Sequence, residues 1–205
     1  MPSDRDLPPW LDAQRDALLT PTRLRGLVHP VRVRLLELLQ NDGPSTATAL
    51  AARVGQSSGV TSYHLRVLAG LGFIVDDAER GNGRERWWRA VHRSTSFTFR
   101  VPGESVDPET METAEQWIRI CADQAHRRMI AAIESLPEHR GELDQLSWQI
   151  SEWPIRLTRE EARALGEQIN ELAQQYRREP GDPQPRPGTE RAWLQFQVLP
   201  DLDAG

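Results

Sequence analysis

Residues 57–68 bring together side chains whose types and spacing suit the reading of a double helix. Ser57, Ser58, Thr61, Ser62, Tyr63 and Arg66 fall on or beside one side of a predicted helix, with Val60, Leu65, Leu68 and Leu71 expected to face inward. Short hydroxyls reach phosphates and base edges, and one guanidinium fork pairs with guanine in a major groove ~12 Å wide. Further along, Arg80, Arg84 and Arg86 surround the turn Gly81, Asn82, Gly83. A basic hairpin tip of this kind lies along a phosphate backbone or dips into a minor groove. The same patterns also suit an ordinary core helix with a solvated face and a hairpin kept soluble by charge.

Other chemistry is thinner. Asp123 and His126 stand three residues apart on a predicted long helix, with Glu138 and His139 beyond. They form a weak oxygen and nitrogen pair for a metal, and charged residues along a solvated helix are the ordinary explanation, so no metal and no cofactor are expected. Four of the seven tryptophans, Trp117, Trp148, Trp153 and Trp193, lie in the C-terminal half. They either line a site for a small organic effector or fill a core. There is no Gly-x-Ser-x-Gly, no phosphate-cradling glycine loop and no His-Glu-x-x-His, so the sequence does not read as an enzyme.

The chain has 205 residues, 38 % of them hydrophobic and 27 % charged. No apolar run approaches the ~18 residues of a membrane span, and the N-terminus lacks the basic and apolar regions of a secretory signal. One cysteine, Cys121, cannot form an intramolecular disulfide, so a reducing cytoplasm is expected. All 25 basic residues are arginine, a bias that strips arginine abundance of meaning. Their placement is informative. Residues 1–20 carry a net −2, residues 21–100 a net +6 and residues 101–205 a net −9. A basic segment joined to an acidic half is expected when one part of a chain meets a polyanion.

The elements that must position these residues follow from caps and periodicity. Thr20-Pro21 opens a short helix to about Val28, and His29-Pro30 starts a second, stopped by Asn41 to Pro44. Ser45 or Thr46 caps a third, which Gly55 ends, and Ser58 caps a fourth, which Gly72 ends. Two short helices across a tight turn make a helix-turn-helix. Residues 73–78 and 85–91 flank the glycine turn as a hairpin, and residues 94–101 alternate as a strand. Asp107-Pro108 opens a long helix to about Leu136, apolar on more than one face, with Met111, Ile118, Cys121 and Ala125 as candidates for a dimer contact. Thr158 to Glu161 is a capping box starting a last helix. Alternation over 146–157 and 192–198 predicts a strand on either side of it.

Residues 20–100, and above all Val54 to Ile74, resemble the winged helix-turn-helix of ArsR-type bacterial transcriptional regulators. Ser62, His64, Leu65, Leu68 and Gly72 match that family's pattern of small polar residues, Ser-x-His-Leu, then a Leu and a Gly before the wing. His29 to Leu36 matches the helix that precedes it. The resemblance implies that Ser57, Ser58, Thr61, Ser62, Tyr63, His64 and Arg66 face double-stranded DNA, that the arginine-rich hairpin is the wing, and that the protein is a homodimer. For His64, packing stands beside DNA contact as a reading. Two features depart from the family. Its founding members sense metals through cysteine pairs, and Ser45 to Arg53 has none. Minimal members end soon after the wing, whereas this chain adds about 100 acidic residues.

The expected fold is mainly helical α+β: a tail over 1–19, a winged helix-turn-helix over 20–101, and a dimerisation and possible ligand-binding region over 102–205, ending in a small β-α-β unit. The expected function is a dimeric, operator-binding transcriptional regulator. A protein-interaction module without DNA binding, or a small-molecule sensor whose main role lies in the C-terminal half, is the alternative.

Overall fold

The computed structural model describes residues 16–80, 85–97, 107–139, 149–176 and 192–199. They form a mainly helical α+β chain: β1 (Asp16–Leu18), α1 (Pro21–Leu27), α2 (Pro30–Asp42), β2 (Ser45–Thr46), α3 (Ala47–Val54), α4 (Ser58–Gly70), β3 (Ile74–Asp76), β4 (Trp87–Ala90), β5 (Ser94–Ser96), α5 (Pro108–Ser135) and α6 (Arg159–Gln174). The described residues divide into two compact units, one ending at Asp123 and one beginning at Gln124.

Helix starts are set by side chains that satisfy the free N–H groups of the first turn. Thr20 accepts from the Arg23 amide at 3.3 Å, and His29 Nδ1 accepts from the Val31 amide at 3.2 Å. Thr46 caps α3, and Ser57, one residue earlier than expected, caps α4. Gly55 (φ 64°) and Gly72 (φ 72°) end α3 and α4 in left-handed geometry that a side chain would strain.

Leu35, Leu36, Leu38 and Leu39 of α2 are buried, and Leu24, Leu27, Leu50, Leu65, Leu68, Phe73, Ile74 and Trp88 close around them in one core. Gly26 lets α1 approach the end of α4, where a Cβ would run into the Leu71 side chain. β2, β4 and β3 form an antiparallel sheet in that order, with Asp76 opposite Trp88 and Ser45 opposite Trp88 on the other edge. Of the adjacent pair, Trp88 enters the core and Trp87 stays half-buried, as alternation along a strand requires. The first turns of α5 join this unit: Asp107 caps the helix through the Thr110 amide, Ala114 is buried in the core, and Trp117 packs on it.

Residues 16–18, which composition assigns to the tail, form β1 and pair in parallel with β5. Asp16 explains the difference: its buried carboxylate accepts from Arg93 Nε at 3.2 Å and from the Ser94 hydroxyl at 2.5 Å. Ala17 and Leu19 beside it are buried.

In the second unit the Thr158 capping box forms as expected. The Glu161 carboxylate accepts from the Thr158 amide at 2.7 Å, and the Thr158 hydroxyl accepts from the Glu161 amide. The flanking strands do not appear. Residues 149–158 and 192–199 carry no strand, so the described residues show α6 without the expected β-α-β unit; residues 146–148 lie outside them. Alternation supplies a strand's side-chain pattern, but a ladder also needs a hydrogen-bonding neighbour. Among the described residues Ile150 (76 % exposed) and Trp153 (71 %) stay on the surface.

The Asp16–Arg93 pair is nearly shielded from water, with side-chain exposures of 0 % and 9 %. Asp16→Ala leaves a buried guanidinium without its carboxylate and is expected to cost about 3 kcal/mol, within the range for breaking one partner of a buried pair. Urea unfolding of the full chain measures this, and an unchanged midpoint contradicts the anchoring role of β1.

Candidate nucleic-acid interface

α4 is held by one stripe. Thr61, His64, Leu65 and Leu68 are buried, whereas Ser57, Ser58, Gly59, Val60, Tyr63 and Arg66 are exposed and Ser62 is half-exposed. Thr61 stands four and seven residues before Leu65 and Leu68, the spacing of a single helical face; Val60 stands five and eight before them and turns off it. Two sequence assignments are corrected accordingly. Thr61 and His64 do not lie on the outward face, and Val60 does not face inward.

His64 packs instead of pointing out. Its ring lies 4.4 Å from that of His29 and 5.2 Å, edge-on, from that of Tyr63. Burial lowers the His64 pKa, and the nearby His29 and Arg32 lower it further. Burial, then Arg32, also lowers that of His29, whose Nδ1 must be unprotonated to accept the helix cap. His92 is lowered by burial and Arg23, against an opposing pull from Asp16. The hydroxyl of Thr61 and Nδ1 of His64 and His92 make no hydrogen bond among the described residues.

The outward face is therefore built from Ser57 and Ser58 at the helix start, then Gly59, Val60, Ser62, Tyr63 and Arg66. The small side chains of Ser57, Ser58, Gly59 and Ser62 let the backbone approach a groove closely, and Arg66 supplies a flat cation in the third turn. The hairpin adds Arg80 and Arg86, each held by an aspartate: Arg80 Nε lies 3.4 Å from Asp77, and Arg86 Nε lies 2.8 Å from Asp76 with its guanidinium 5.3 Å from the Trp88 ring. Exposed pairs of this kind are worth ~0–1 kcal/mol, so a phosphate can displace either carboxylate. Arg84 lies outside the described residues.

The remaining candidates are dispersed. Trp117 meets Phe97 edge-on at 6.2 Å against the core, which gives it a packing role. Trp153 is exposed, Trp193 is 51 % exposed with Arg128 4.4 Å over its ring, and Trp148 lies outside the described residues. Asp123 and His126 are exposed, and among the described residues no three His, Cys, Asp or Glu side chains group to hold a metal. The His139 side chain lies outside the described residues. Met111 and Ile118 are exposed on α5, while Cys121 and Ala125 are partly buried.

A family model described as a helix-turn-helix domain matches residues 27–76, inside the stretch that carries the ArsR-type resemblance. Among curated proteins, the HTH-type transcriptional regulator NmtR of Mycobacterium tuberculosis (strain ATCC 25618 / H37Rv) is 40 % identical over 67 residues, 33 % of this chain and 54 % of that protein. The chain thus spans about half the length of this curated relative. A solved structure of Lactococcus lactis ZitR, a doubly substituted form without ligand, aligns over 73 % of this chain and 84 % of that one at 13 % identity and a TM-score of 0.31. Residues 27–76 match a helix-turn-helix domain, and both this match and the mycobacterial regulator support the resemblance to helix-turn-helix transcriptional regulators.

His29, His64 and His92 make stability depend on pH with a definite sign. Their folded pKa values lie below the ~6.5 of an unfolded chain, so the native state binds fewer protons than the unfolded one. Stability is full above about pH 6.5, falls as the pH drops toward the lowered values, and levels off beneath them. Chemical denaturation between pH 7.5 and 5 is expected to show this slope. In a His29→Asn, His64→Gln double variant, where Asn keeps the helix cap, the slope is expected to be shallower; an unchanged slope refutes the assignment.

Proposed function

We infer that this chain is a DNA-binding transcriptional regulator. In this reading the outward face of α4 enters the major groove, and the β3–β4 hairpin lies on the backbone beside it. The observation that carries it is the division of α4 into a buried stripe and an outward face on which small residues, Val60 and Tyr63 stand beside one arginine, within residues 21–100 and their net charge of +6. The helix-turn-helix domain match and the regulator it resembles support the same reading.

The regulator acts as a homodimer on a two-fold operator, with α5 as the contact. Ala114 and Trp117 commit one face of α5 to the core of its own unit. Met111 and Ile118, seven residues apart, flank Ala114 on the same side of the helix yet stay exposed, forming an apolar stripe along the edge of that buried face. A second copy of the helix covers such a stripe, and two-fold proteins read palindromic sites. Met111→Glu with Ile118→Glu would place unpaired charge in that contact. Sedimentation at micromolar concentration is expected to show a dimer for the parent and a monomer for the double variant; a monomeric parent refutes the arrangement.

Arg66→Ala is expected to weaken binding to a selected duplex by ~1–3 kcal/mol and to relax preference at one base pair. Titrations at several salt concentrations check this. A steep linear fall of log affinity with log salt marks phosphate neutralisation, whereas a shallow slope favours a protein partner on this face.

A further inference from the structure

Residues 27–76 are all described, and within them two large hydrophobic side chains are left exposed, Val60 at 42 % and Tyr63 at 58 %. Leu65 and Leu68, further along the same helix, are fully buried, so the exposure is not general looseness of packing. Val60 and Tyr63 are three residues apart and therefore neighbours on one helix face. Val60 sits in the first turn of α4, and its amide donates to the Ser57 cap at 3.3 Å, which fixes where its side chain projects. Gly59 and Ser62 beside it are small, so nothing of similar height screens its methyl groups.

This placement has a specific meaning if α4 reads DNA, and the inference rests on that reading. N-terminal residues of a recognition helix are those that reach base edges. On those edges the one apolar group of the major groove is the thymine 5-methyl, which aliphatic side chains recognise by contact. The alternative occupant, an apolar protein surface, fits poorly: the two side chains stand among Ser57, Ser58, Ser62 and Arg66, and a stable protein contact needs an apolar centre within an interface of about 1,000 Å² or more. We propose that Val60 reads a thymine 5-methyl group in each half-site, with the Tyr63 ring flanking the same contact, so that the operator carries an A·T pair at a fixed place beside the pair read by Arg66.

The test begins with selection of duplexes from a random pool by the full chain, followed by replacement of each thymine of the preferred half-site by uracil, which removes one methyl and leaves pairing intact. Loss of a buried methyl is expected to weaken binding about three- to fivefold at one thymine per half-site and to leave the others unchanged. Val60→Ala, at an exposed helical position, is expected to bind the thymine duplex more weakly and to be indifferent to that uracil. The uracil comparison uses the unaltered protein and so stands even if the variant misbehaves. A sequence preference in which every uracil is neutral, or a methyl effect undiminished in Val60→Ala, overturns this inference alone. A pool without any sequence preference overturns the DNA-reading function together with it.

Discussion

The stripe Thr61, His64, Leu65 and Leu68 has to be buried, and burying it permits one rotation of α4 about its axis. Successive residues of a helix are offset by about 100°, so a rotation by one residue would expose Leu65 or Leu68 and forfeit roughly 1.5–3 kcal/mol for each. The surfaces that receive the stripe are equally fixed. Four leucines of α2 face the same core, α3 packs on α4 across the turn at Gly55, and Gly26 allows α1 to close over Leu71. What faces outward is the complement of that stripe, and the position of Arg66, Tyr63 and Val60 follows from the leucines behind them.

Polar groups inside this frame make it conditional. The His29 ring serves two neighbours at once, capping α2 through Nδ1 and lying against His64 on α4. Both duties require the neutral ring, because a charged His29 loses its acceptor and stands beside Arg32. The start of α2 and the seat of the outward helix are thereby joined through one pair of imidazoles. On the other side of the unit, the Asp16–Arg93 pair binds β1 to the end of the hairpin sheet, and Gln40 of α2 donates at 3.2 Å to both the His92 carbonyl and the Thr95 hydroxyl. The sheet is held to the helices by these contacts as well as by Trp88.

The second unit follows a different logic. α6 has a strongly amphipathic sequence and a complete capping box, yet none of its residues is buried. Ile150, Trp153, Ile155, Leu194 and Leu199 are exposed on the segments that flank it in sequence. Local signals are sufficient to begin and end a helix, whereas burial of an apolar face requires a second surface. The contrast with the first unit lies in partners, since both units carry apolar residues at helical spacing.

Caps, glycine stops and leucine periodicity are local, and for that reason the sequence by itself determined the four N-terminal helices, the hairpin, the long helix from Pro108 and the capping box at Thr158. It also determined the helix-turn-helix character of 54–74 and the exposure of Ser57, Ser58, Tyr63 and Arg66. Tertiary structure decided what local pattern leaves open. Thr61 and His64 went inside and Val60 went outside because the rotation of α4 is set by helices distant in sequence. Asp16 became part of a strand because its partner, Arg93, stands 77 residues away. The alternating residues over 149–157 and 192–198 remained without a ladder because a strand exists by pairing, and pairing is a property of two segments that neither one encodes alone.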